Sequence, residues 1–308
     1  MPKAQPPRLI VIAGATATGK SDLSLAISKE IGAEIVNADS MQLYRGMDIG
    51  TAKLSLEERA GIAHHMIDLL DVDEDASVAD YQRDARSIID RILGSGKSVV
   101  VVGGTGLYIK ALLDELDFPE TDPVVRKRLL DEGMEIGSEV MHQRLALIDP
   151  AAAVAIPREN LRRIVRALEV IEITGKPFTA HLPREGRSYY PEAKQVGLVM
   201  DRETLRERID RRVDQMWVKG LVDEVRTLIE KGLLSGRTAR AAIGYSQVIA
   251  FIEGKMSEEE AREETKRATR QYARRQETWF SRDARIRWIK GGDTETRLAA
   301  AKTVLAIE

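Results

Sequence analysis

The feature that most constrains the fold is a glycine-rich turn between a predicted strand and a predicted helix. Residues 14–21 read Gly-Ala-Thr-Ala-Thr-Gly-Lys-Ser, after an apolar run at 9–13 and before a helical pattern at 20–31. A strand, this glycine spacing and a helix in that order are typical of a phosphate-binding loop in a parallel α/β sheet. The segment therefore predicts a ligand with two or three linked phosphates. The alternative is a glycine-rich turn without a ligand.

The residues of this loop have distinct predicted roles. Gly14 and Gly19 allow backbone N–H groups to turn inward, and the following helix adds the positive end of its dipole. Lys20 supplies a positive charge, and the Ser21 hydroxyl is a candidate ligand for Mg²⁺. The predicted diphosphate-binding residues of the loop are Gly14, Ala15, Thr16, Ala17, Thr18, Gly19, Lys20 and Ser21.

Composition limits the classes of function. The 308 residues include no cysteine and four histidines, which excludes disulfides and thiol catalysis and leaves little room for a histidine metal site. The net charge of −2 means that any nucleic acid must be held by local basic faces. Because the chain has neither an apolar leader nor an apolar run long enough to span a bilayer, we expect a cytoplasmic protein.

Strands and helices alternate in the first part of the chain, which predicts a doubly wound parallel sheet. The predicted elements of this part lie at 8–13, 20–31, 34–37, 79–93 and 98–103. Prolines at 119 and 123 interrupt the pattern. We therefore predict an α/β, P-loop NTPase-like parallel sheet flanked by helices, in a catalytic core at 1–118 plus 195–308. An all-helical domain is inserted at 119–194.

The rest of the chain is predicted to be mostly helical. The insertion is expected to hold helices at 124–132, 138–148 and 158–174. The core is then expected to resume with a strand at 195–200, helices at 202–230 and 257–281, a strand at 285–290 and a helix at 294–307.

Two other strand ends carry polar side chains. Asp39 follows the strand at 34–37, where a carboxylate can hold Mg²⁺ or accept a proton, and Thr105 follows the strand at 98–103. Each is also a common residue at a helix N-terminus. The adjacent His64 and His65 are a possible metal site, although a structural role is favoured because neighbouring positions rarely face one ion.

Two basic stretches indicate an RNA partner. Arg158, Arg162 and Arg166 recur every four residues and are expected to share one helix face, with Arg163 beside them. In the helix at 257–281, basic residues alternate with aromatic ones, which suits a phosphate backbone with stacked bases. These residues are Lys266, Arg267, Arg270, Arg274 and Arg275, with Tyr272, Trp279 and Phe280. The alternative for both stretches is a solvated helix face.

Six segments together resemble the bacterial tRNA dimethylallyltransferases, also called the tRNA isopentenyltransferase or IPP transferase family. In chain order they lie at 14–21, 39–53, 103–108, 163–170, 243–245 and 275–279. The stretch at 39–53 is the most specific of them, and the resemblance extends over about residues 8–290. It implies transfer of a dimethylallyl group from its diphosphate to N6 of the adenosine at tRNA position 37, beside the anticodon, with release of pyrophosphate.

The resemblance also implies roles for individual residues. Asp39 matches the general base of the family and Thr105 a residue near the reacting centre, with Mg²⁺ balancing the charge of the leaving group. Arg208 and Arg212 are one turn apart, and one of them is expected to close over the diphosphate. The positions matching tRNA contacts are Asp39, Ser40, Met41, Gln42, Thr105, Arg126, Arg162, Arg163, Ile164, Val165, Arg166, Ile243, Gly244, Tyr245, Arg274, Arg275, Gln276, Thr278 and Trp279. We expect a monomer that acts on the anticodon stem-loop, with no membrane partner.

Departures from the family pattern occur at Ser246, where relatives often have a basic residue, and at Ser281, where Arg282 is a possible substitute.

Three other functions are open at this point. An adenylate isopentenyltransferase would share the loop and the prenyl donor but needs no basic helices. A nucleotide kinase or NTPase would hold ATP in the loop. A noncatalytic RNA-binding protein would not need Lys20, Ser21 and Asp39 together.

Overall fold

The computed structural model describes residues 8–181 and 187–307 and divides into two compact units. The larger unit is Met1–Leu113 with Tyr190–Glu308, and the smaller unit is Asp114–Tyr189. These borders precede the predicted ones at 119 and 194. The reason is local pairing, since Asp114 forms an antiparallel bridge with Ser188 and the amide of Glu115 donates to the carbonyl of Arg187.

A six-stranded sheet forms the centre of the larger unit, and every strand pair is parallel. The strands are β1 (Leu9–Gly14), β2 (Glu34–Asn37), β3 (His64–His65), β4 (Val99–Val102), β5 (Lys194–Val199) and β6 (Ile286–Lys290). Their order across the sheet is β3-β2-β4-β1-β5-β6. The prediction of a parallel sheet flanked by helices is confirmed.

Twelve helices accompany the sheet in the described residues. They are α1 (Lys20–Ile31), α2 (Val78–Gly94), α3 (Gly106–Leu113), α4 (Pro123–Ile136), α5 (Ser138–Ile148), α6 (Pro150–Ala155), α7 (Leu161–Thr174), α8 (Arg202–Val218), α9 (Leu221–Glu230), α10 (Tyr245–Ile252), α11 (Glu258–Phe280) and α12 (Thr294–Leu305). Short 3₁₀ turns lie at Phe178–His181 and Ala239–Ala241. Helices α4 to α7 belong to the smaller unit. In the described part of the chain, none of the helices has the length and apolarity needed to cross a bilayer.

Both faces of the sheet are covered, which explains the unbroken apolar runs of its strands. On β1, Leu9 and Val11 face the core that α2 and α3 complete, whereas Ile10 and Ile12 face the core that α1 and α12 complete. The carboxyl ends of β2, β4 and β1 are neighbours at one edge of this sheet. The loops that follow these three strands carry the predicted chemistry.

Some element boundaries differ from prediction. The single predicted helix at 202–230 is two helices, because Gly220 has a φ of 94° and starts α9 in a new direction. The predicted helix at 158–174 begins at Leu161, since the Asn160 side chain accepts a hydrogen bond from the amide of Arg163 and caps it. Arg158 therefore lies before the helix and does not share its face.

Candidate active site

The glycines of the loop between β1 and α1 stand where no other residue fits. Gly14 has a φ of 144°, and a Cβ there would lie 2.9 Å from the carbonyl oxygen of Leu198. Gly19 has a φ of 93°, and its Cβ would overlap the guanidinium of Arg297. The loop is closed from within by the Thr18 hydroxyl, which donates to the Ala15 carbonyl at 2.8 Å. The loop is therefore preshaped by the protein itself.

Lys20 is a cation without a carboxylate partner. Its Nζ donates to the carbonyl of Ala15 at 2.8 Å, and within residues 8–181 and 187–307 no acidic side chain lies within ion-pair distance of it. Removal from water lowers the pKa of Lys20 to about 8, the Asp39 carboxylate opposes this lowering, and the Arg212 guanidinium adds to it. The loop thus concentrates positive charge that an anionic ligand would neutralise.

A cavity of about 580 Å³ lies against the loop, within the larger unit. The structure places the predicted residues Arg208 and Arg212 in its wall together with Lys20 and Ser21. Other basic residues of the wall escaped prediction and are Lys53, Arg211 and Lys219. The spacing of 208, 211, 212, 215 and 219 on one face of a helix is the sequence signal that could have identified two of them.

Helix α8 is oriented by charges on its other side. Arg270 of α11 donates to Asp210, and Lys266 lies 2.7 Å from Asp214. Because these carboxylates hold α8 against α11, the basic face with Arg208 and Arg212 is turned toward the cavity. Burial also lowers the pKa of Arg212, an effect that Asp39 opposes.

Asp39 and Thr105 lie at neighbouring strand ends, as predicted. The Asp39 carboxylate accepts a hydrogen bond from the amide of Met41 at 3.0 Å, and the Thr105 hydroxyl oxygen accepts one from the amide of Ser40 at 3.1 Å. The two loops are in direct contact, since a Cβ on Gly103 would lie 2.2 Å from the carbonyl oxygen of Ala38. The charge of Asp39 also contributes to the raised pKa of Tyr272, which burial and this charge bring to about 12.

The predicted basic stretch on α11 is largely paired. Lys266, Arg267 and Arg270 pair with acidic side chains of the protein, so their charges are partly neutralised, and the RNA-binding role of this stretch stays a prediction. Arg274 and Arg275 are exposed, and Arg275 lies 5.8 Å from the centre of the Tyr272 ring. Two further predicted contacts on this helix, Thr278 and Trp279, are also exposed.

Other predicted tRNA-contacting residues of the larger unit are buried. Gln276 is 5% exposed; its Oε1 accepts from the amide of Thr16 and its Nε2 donates to the carbonyl of Gly104, each at 2.8 Å. Tyr245 is fully buried, and Gly244 is buried beside it. Because these groups are engaged in the interior, we reassign them from RNA contact to packing. Ile243, Ser40, Met41 and Gln42 are half-buried.

The smaller unit has its own core and its own basic surface. Ile164 and Val165 belong to that core, which corrects their prediction as RNA contacts. The buried carboxylate of Glu169 holds Arg126 at 2.9 Å and Arg166 at 3.1 Å. Among the residues that the structure describes in this unit, Arg162 and Arg163 are exposed with guanidinium groups that pair with no acidic side chain. The surface available to an RNA phosphate on α7 is therefore centred on these two residues.

The adjacent histidines have structural partners. His65 Nε2 lies 2.8 Å from the Glu34 carboxylate, and His64 Nδ1 lies 2.8 Å from the carbonyl of Ile62. Hydrogen bonds from Lys97 and His65 hold the pKa of Glu34 below its usual value. The described ranges contain no group of three or more His, Asp or Glu side chains suited to a metal ion.

The residues at the loop suit a magnesium ion that is shared with phosphates. Mg²⁺ in phosphate sites takes one or two protein oxygens and completes its shell with phosphate oxygens and water. Ser21 lines the cavity, and its hydroxyl makes no hydrogen bond to another described residue. That single oxygen beside Lys20 and Arg212 fits such an ion and fits no site built from protein ligands alone.

Comparison with known proteins identifies the relatives of this chain. The profile of the family described as IPP transferase matches residues 42–283. A tRNA dimethylallyltransferase of Streptomyces griseus is 57% identical over 291 residues, which cover 94% of this chain and 93% of the relative. A relative of the same name from Thermobifida fusca is also 57% identical, over 286 residues, which cover 91% of this chain and 89% of the relative.

Solved structures give the same result. The full-length tRNA isopentenylpyrophosphate transferase of Bacillus halodurans aligns with a TM-score of 0.71 and 38% identity, covering 97% of this chain and 95% of that one. A eukaryotic dimethylallyltransferase, in a structure described as acting on tRNA, aligns with a TM-score of 0.79 and 27% identity, covering 97% of this chain and 77% of that one.

The parallel sheet with a phosphate loop after its first strand defines a protein of the P-loop class. Within that class the chain belongs to the IPP transferase family, the tRNA dimethylallyltransferases, and is a transferase.

Lys20 gives this site an expected pH dependence. Its pKa of about 8 in the free protein should rise when a phosphate oxygen neutralises the ammonium. Well below pH 8 the group is almost fully charged and adds little pH dependence. Above that pH, binding must take up a proton, so the affinity for pyrophosphate should fall by up to about ten-fold per pH unit.

Titration calorimetry with pyrophosphate, in buffers of different ionisation enthalpy, measures both the affinity and the proton uptake. Lys20→Ala is the matched control, because pyrophosphate ionises in the same way with this variant and only the titration of Lys20 is lost. Identical pH dependence in the parent and in this variant would contradict the assignment.

Proposed function

We propose that this chain transfers the dimethylallyl group of dimethylallyl diphosphate to N6 of the adenosine at tRNA position 37, and releases pyrophosphate. The observation that carries the proposal is the position of Asp39. This carboxylate lies at the end of β2, near enough to Lys20 and Arg212 for its charge to shift the pKa of both. The proposed base thus lies close enough to two cations of the diphosphate site for their charges to interact. We further propose that the enzyme is a monomer and that it works in the cytoplasm, where its tRNA substrate is found.

The chemistry follows from the charges around the crevice. The N6 amine attacks C1 of the dimethylallyl group, the bond between C1 and the bridging oxygen breaks, and the electron pair leaves with pyrophosphate. Lys20 and Arg212, with Arg208 beside them, stabilise the negative charge that develops on the leaving oxygens. Asp39 accepts the proton that N6 loses, so atoms and charge balance. Thr105 contributes a hydroxyl that positions the loop of Asp39 through Ser40.

A magnesium ion bound at Ser21 would add positive charge beside the diphosphate and so favour its departure. Residues of the protein do the remaining work. The loop amides that are not bonded within the protein, as that of Thr16 is to Gln276, orient the diphosphate together with the N-terminus of α1. The preshaped loop limits the reorganisation that binding requires.

We also propose that both units contribute to tRNA binding. Exposed cations are available at Arg274 and Arg275 on α11 of the larger unit and at Arg162 and Arg163 on α7 of the smaller unit. Exposed Trp279 adds an aromatic surface on which a base can stack, and it is 44% exposed.

Replacing Arg162 and Arg163 together with alanine is expected to weaken tRNA binding and to reduce its salt dependence. Each phosphate contact that is lost should lower the slope of log affinity against log salt by about 0.7–0.9. Pyrophosphate binding should not change. Filter binding over a range of KCl concentrations measures the slope.

Arg158→Ala is the matched control, because its guanidinium is already paired with Glu139 at 3.3 Å. A double variant with the slope of the parent would mean that this helix face is only solvated.

A transfer assay with three acceptors tests the proposed function. Labelled dimethylallyl diphosphate is offered with unmodified tRNA, with AMP or with no acceptor. We expect label in tRNA alone. Label in AMP would indicate an adenylate isopentenyltransferase, and consumption of ATP with a phosphorylated product would indicate a kinase; either result would contradict the proposal.

A further inference from the structure

One wall of the cavity is an irregular turn that must be held in shape from outside. Asp48, Ile49, Ala52 and Lys53 of this turn line the cavity. The turn is closed by hydrogen bonds from the amide of Ala52 to the carbonyl of Ile49 at 3.0 Å and from the amide of Lys53 to the carbonyl of Asp48 at 2.9 Å. Ala52 has a φ of 49°, a left-handed conformation that a residue with a Cβ adopts at a cost.

The contact that holds this turn comes from α9. The Glu224 carboxylate accepts hydrogen bonds from three successive amides, those of Asp48 at 3.1 Å, Ile49 at 2.7 Å and Gly50 at 3.3 Å. Such converging amides form a concave site for an anion, and here the protein fills that site with its own side chain. Hydrogen bonds to a charged acceptor are the stronger kind, so Glu224 fixes the position of the turn.

Tyr245 completes the arrangement from α10. Its hydroxyl donates to the Glu224 carboxylate at 2.6 Å, and its ring is fully buried against Gly50. A Cβ at position 50 would lie 2.4 Å from this ring, which explains why the turn carries a glycine there. Tyr245 therefore orients Glu224 and bounds the space into which the turn fits.

The turn also contacts Arg212, one of the residues that are proposed to bind the diphosphate. The carbonyl of Thr51 accepts hydrogen bonds from Arg212 Nη2 at 3.4 Å and from Gln42 Nε2 at 3.2 Å. Arg212 is one of the cations that line the cavity beside Lys20. A shift of the turn would therefore move the acceptor that holds this guanidinium.

We propose that Glu224 and Tyr245 are positioning residues for the prenyl diphosphate: they hold the turn at 48–53 and, through Thr51, the guanidinium of Arg212. The inference rests on the proposed function and assigns the segment around Tyr245 to the donor site. It differs from the expectation that this segment binds tRNA directly. The two assignments predict opposite effects on the two substrates.

Tyr245→Phe is the most direct test, because it keeps the ring against Gly50 and removes only the hydroxyl. We expect the KM for dimethylallyl diphosphate and the Kd of pyrophosphate to rise by about ten-fold, while the KM and Kd for tRNA stay within about two-fold of the parent. Glu224→Gln should act in the same direction. Thermal unfolding and circular dichroism establish that each variant is folded.

Tyr190→Phe is the matched control, because Tyr190 also donates to a carboxylate, that of Asp90 at 2.8 Å, outside the cavity. It should leave both substrates unaffected. The split between donor and tRNA is a readout that a purely structural role would not produce.

Three results would overturn the positioning role. They are weaker tRNA binding with unchanged pyrophosphate binding, unchanged binding of both substrates, and a parallel loss of both together with a lower unfolding temperature. A parent protein that binds neither dimethylallyl diphosphate nor pyrophosphate would instead contradict the proposed function, and this inference with it. The parent measurement therefore separates the two failures.

Discussion

Asp39→Asn is expected to lower kcat for transfer to tRNA by about 10²–10⁴-fold, the usual effect of losing a positioned general base. The amide keeps the shape of the side chain and can still accept the hydrogen bond from Met41, so the fold should be preserved. It cannot take the proton that N6 loses. Single-turnover rates with enzyme in excess measure the chemical step directly.

Asp84→Asn is the matched control for this substitution. Asp84, on α2, has a side chain that is 45% exposed, pairs with Arg83 at 2.8 Å and lies outside the cavity. The control should transfer at the rate of the parent. If Asp39→Asn retained more than about half of the parent rate, another group would have to be the base.

Lys20→Ala is expected to lower kcat/KM for dimethylallyl diphosphate by about 10²–10³-fold, the scale observed when one group that stabilises developing charge is removed. Lys20 is the loop cation with no carboxylate partner in the described residues, so its loss leaves the leaving group less well neutralised. Pyrophosphate affinity should fall as well, because the product makes the same contact. Steady-state kinetics and calorimetry measure the two effects.

Lys29→Ala controls for the removal of a positive charge from the same helix, since Lys29 is exposed in the last turn of α1. It should behave as the parent does.

In the parent, ATP should compete poorly with the prenyl diphosphate. Tight ATP binding that Lys20→Ala abolishes, with no change in prenyl transfer, would favour a kinase over a transferase.

Much of the fold follows from local sequence patterns. The pattern at 20–31 predicts α1 and that at 34–37 predicts β2 with the bounds that the structure has. Elements without a periodic pattern escape such reasoning. Strand β3 consists of His64 and His65 alone, and α3 is an eight-residue helix that is apolar on nearly every side. Neither shows the alternation by which strands or helices are recognised.

The candidate site also has a part that the sequence predicts and a part that it does not. Its charged centre follows from motifs, because Lys20, Asp39 and Arg212 occupy strand ends or one helix face. The sequence motifs do not show which basic residues are unpaired, because pairing depends on partner residues that are far away in the chain. Arg270 is neutralised by Asp210 of another helix, and Gln276 is used inside the fold to join the loops of β1 and β4. A motif gives the residue type, whereas burial and pairing decide what it can touch.

The most direct measurement is the position of the label in the product. Labelled dimethylallyl diphosphate is reacted with an unmodified anticodon stem-loop that carries adenosine at position 37, and in parallel with the same stem-loop carrying guanosine there. Nucleosides from the digested RNA are then separated and identified by mass spectrometry. We predict N6-dimethylallyladenosine from the first RNA, one pyrophosphate released per label transferred, and no labelled nucleoside from the second. Label in both RNAs, or pyrophosphate release without any labelled adenosine, would contradict the assigned reaction.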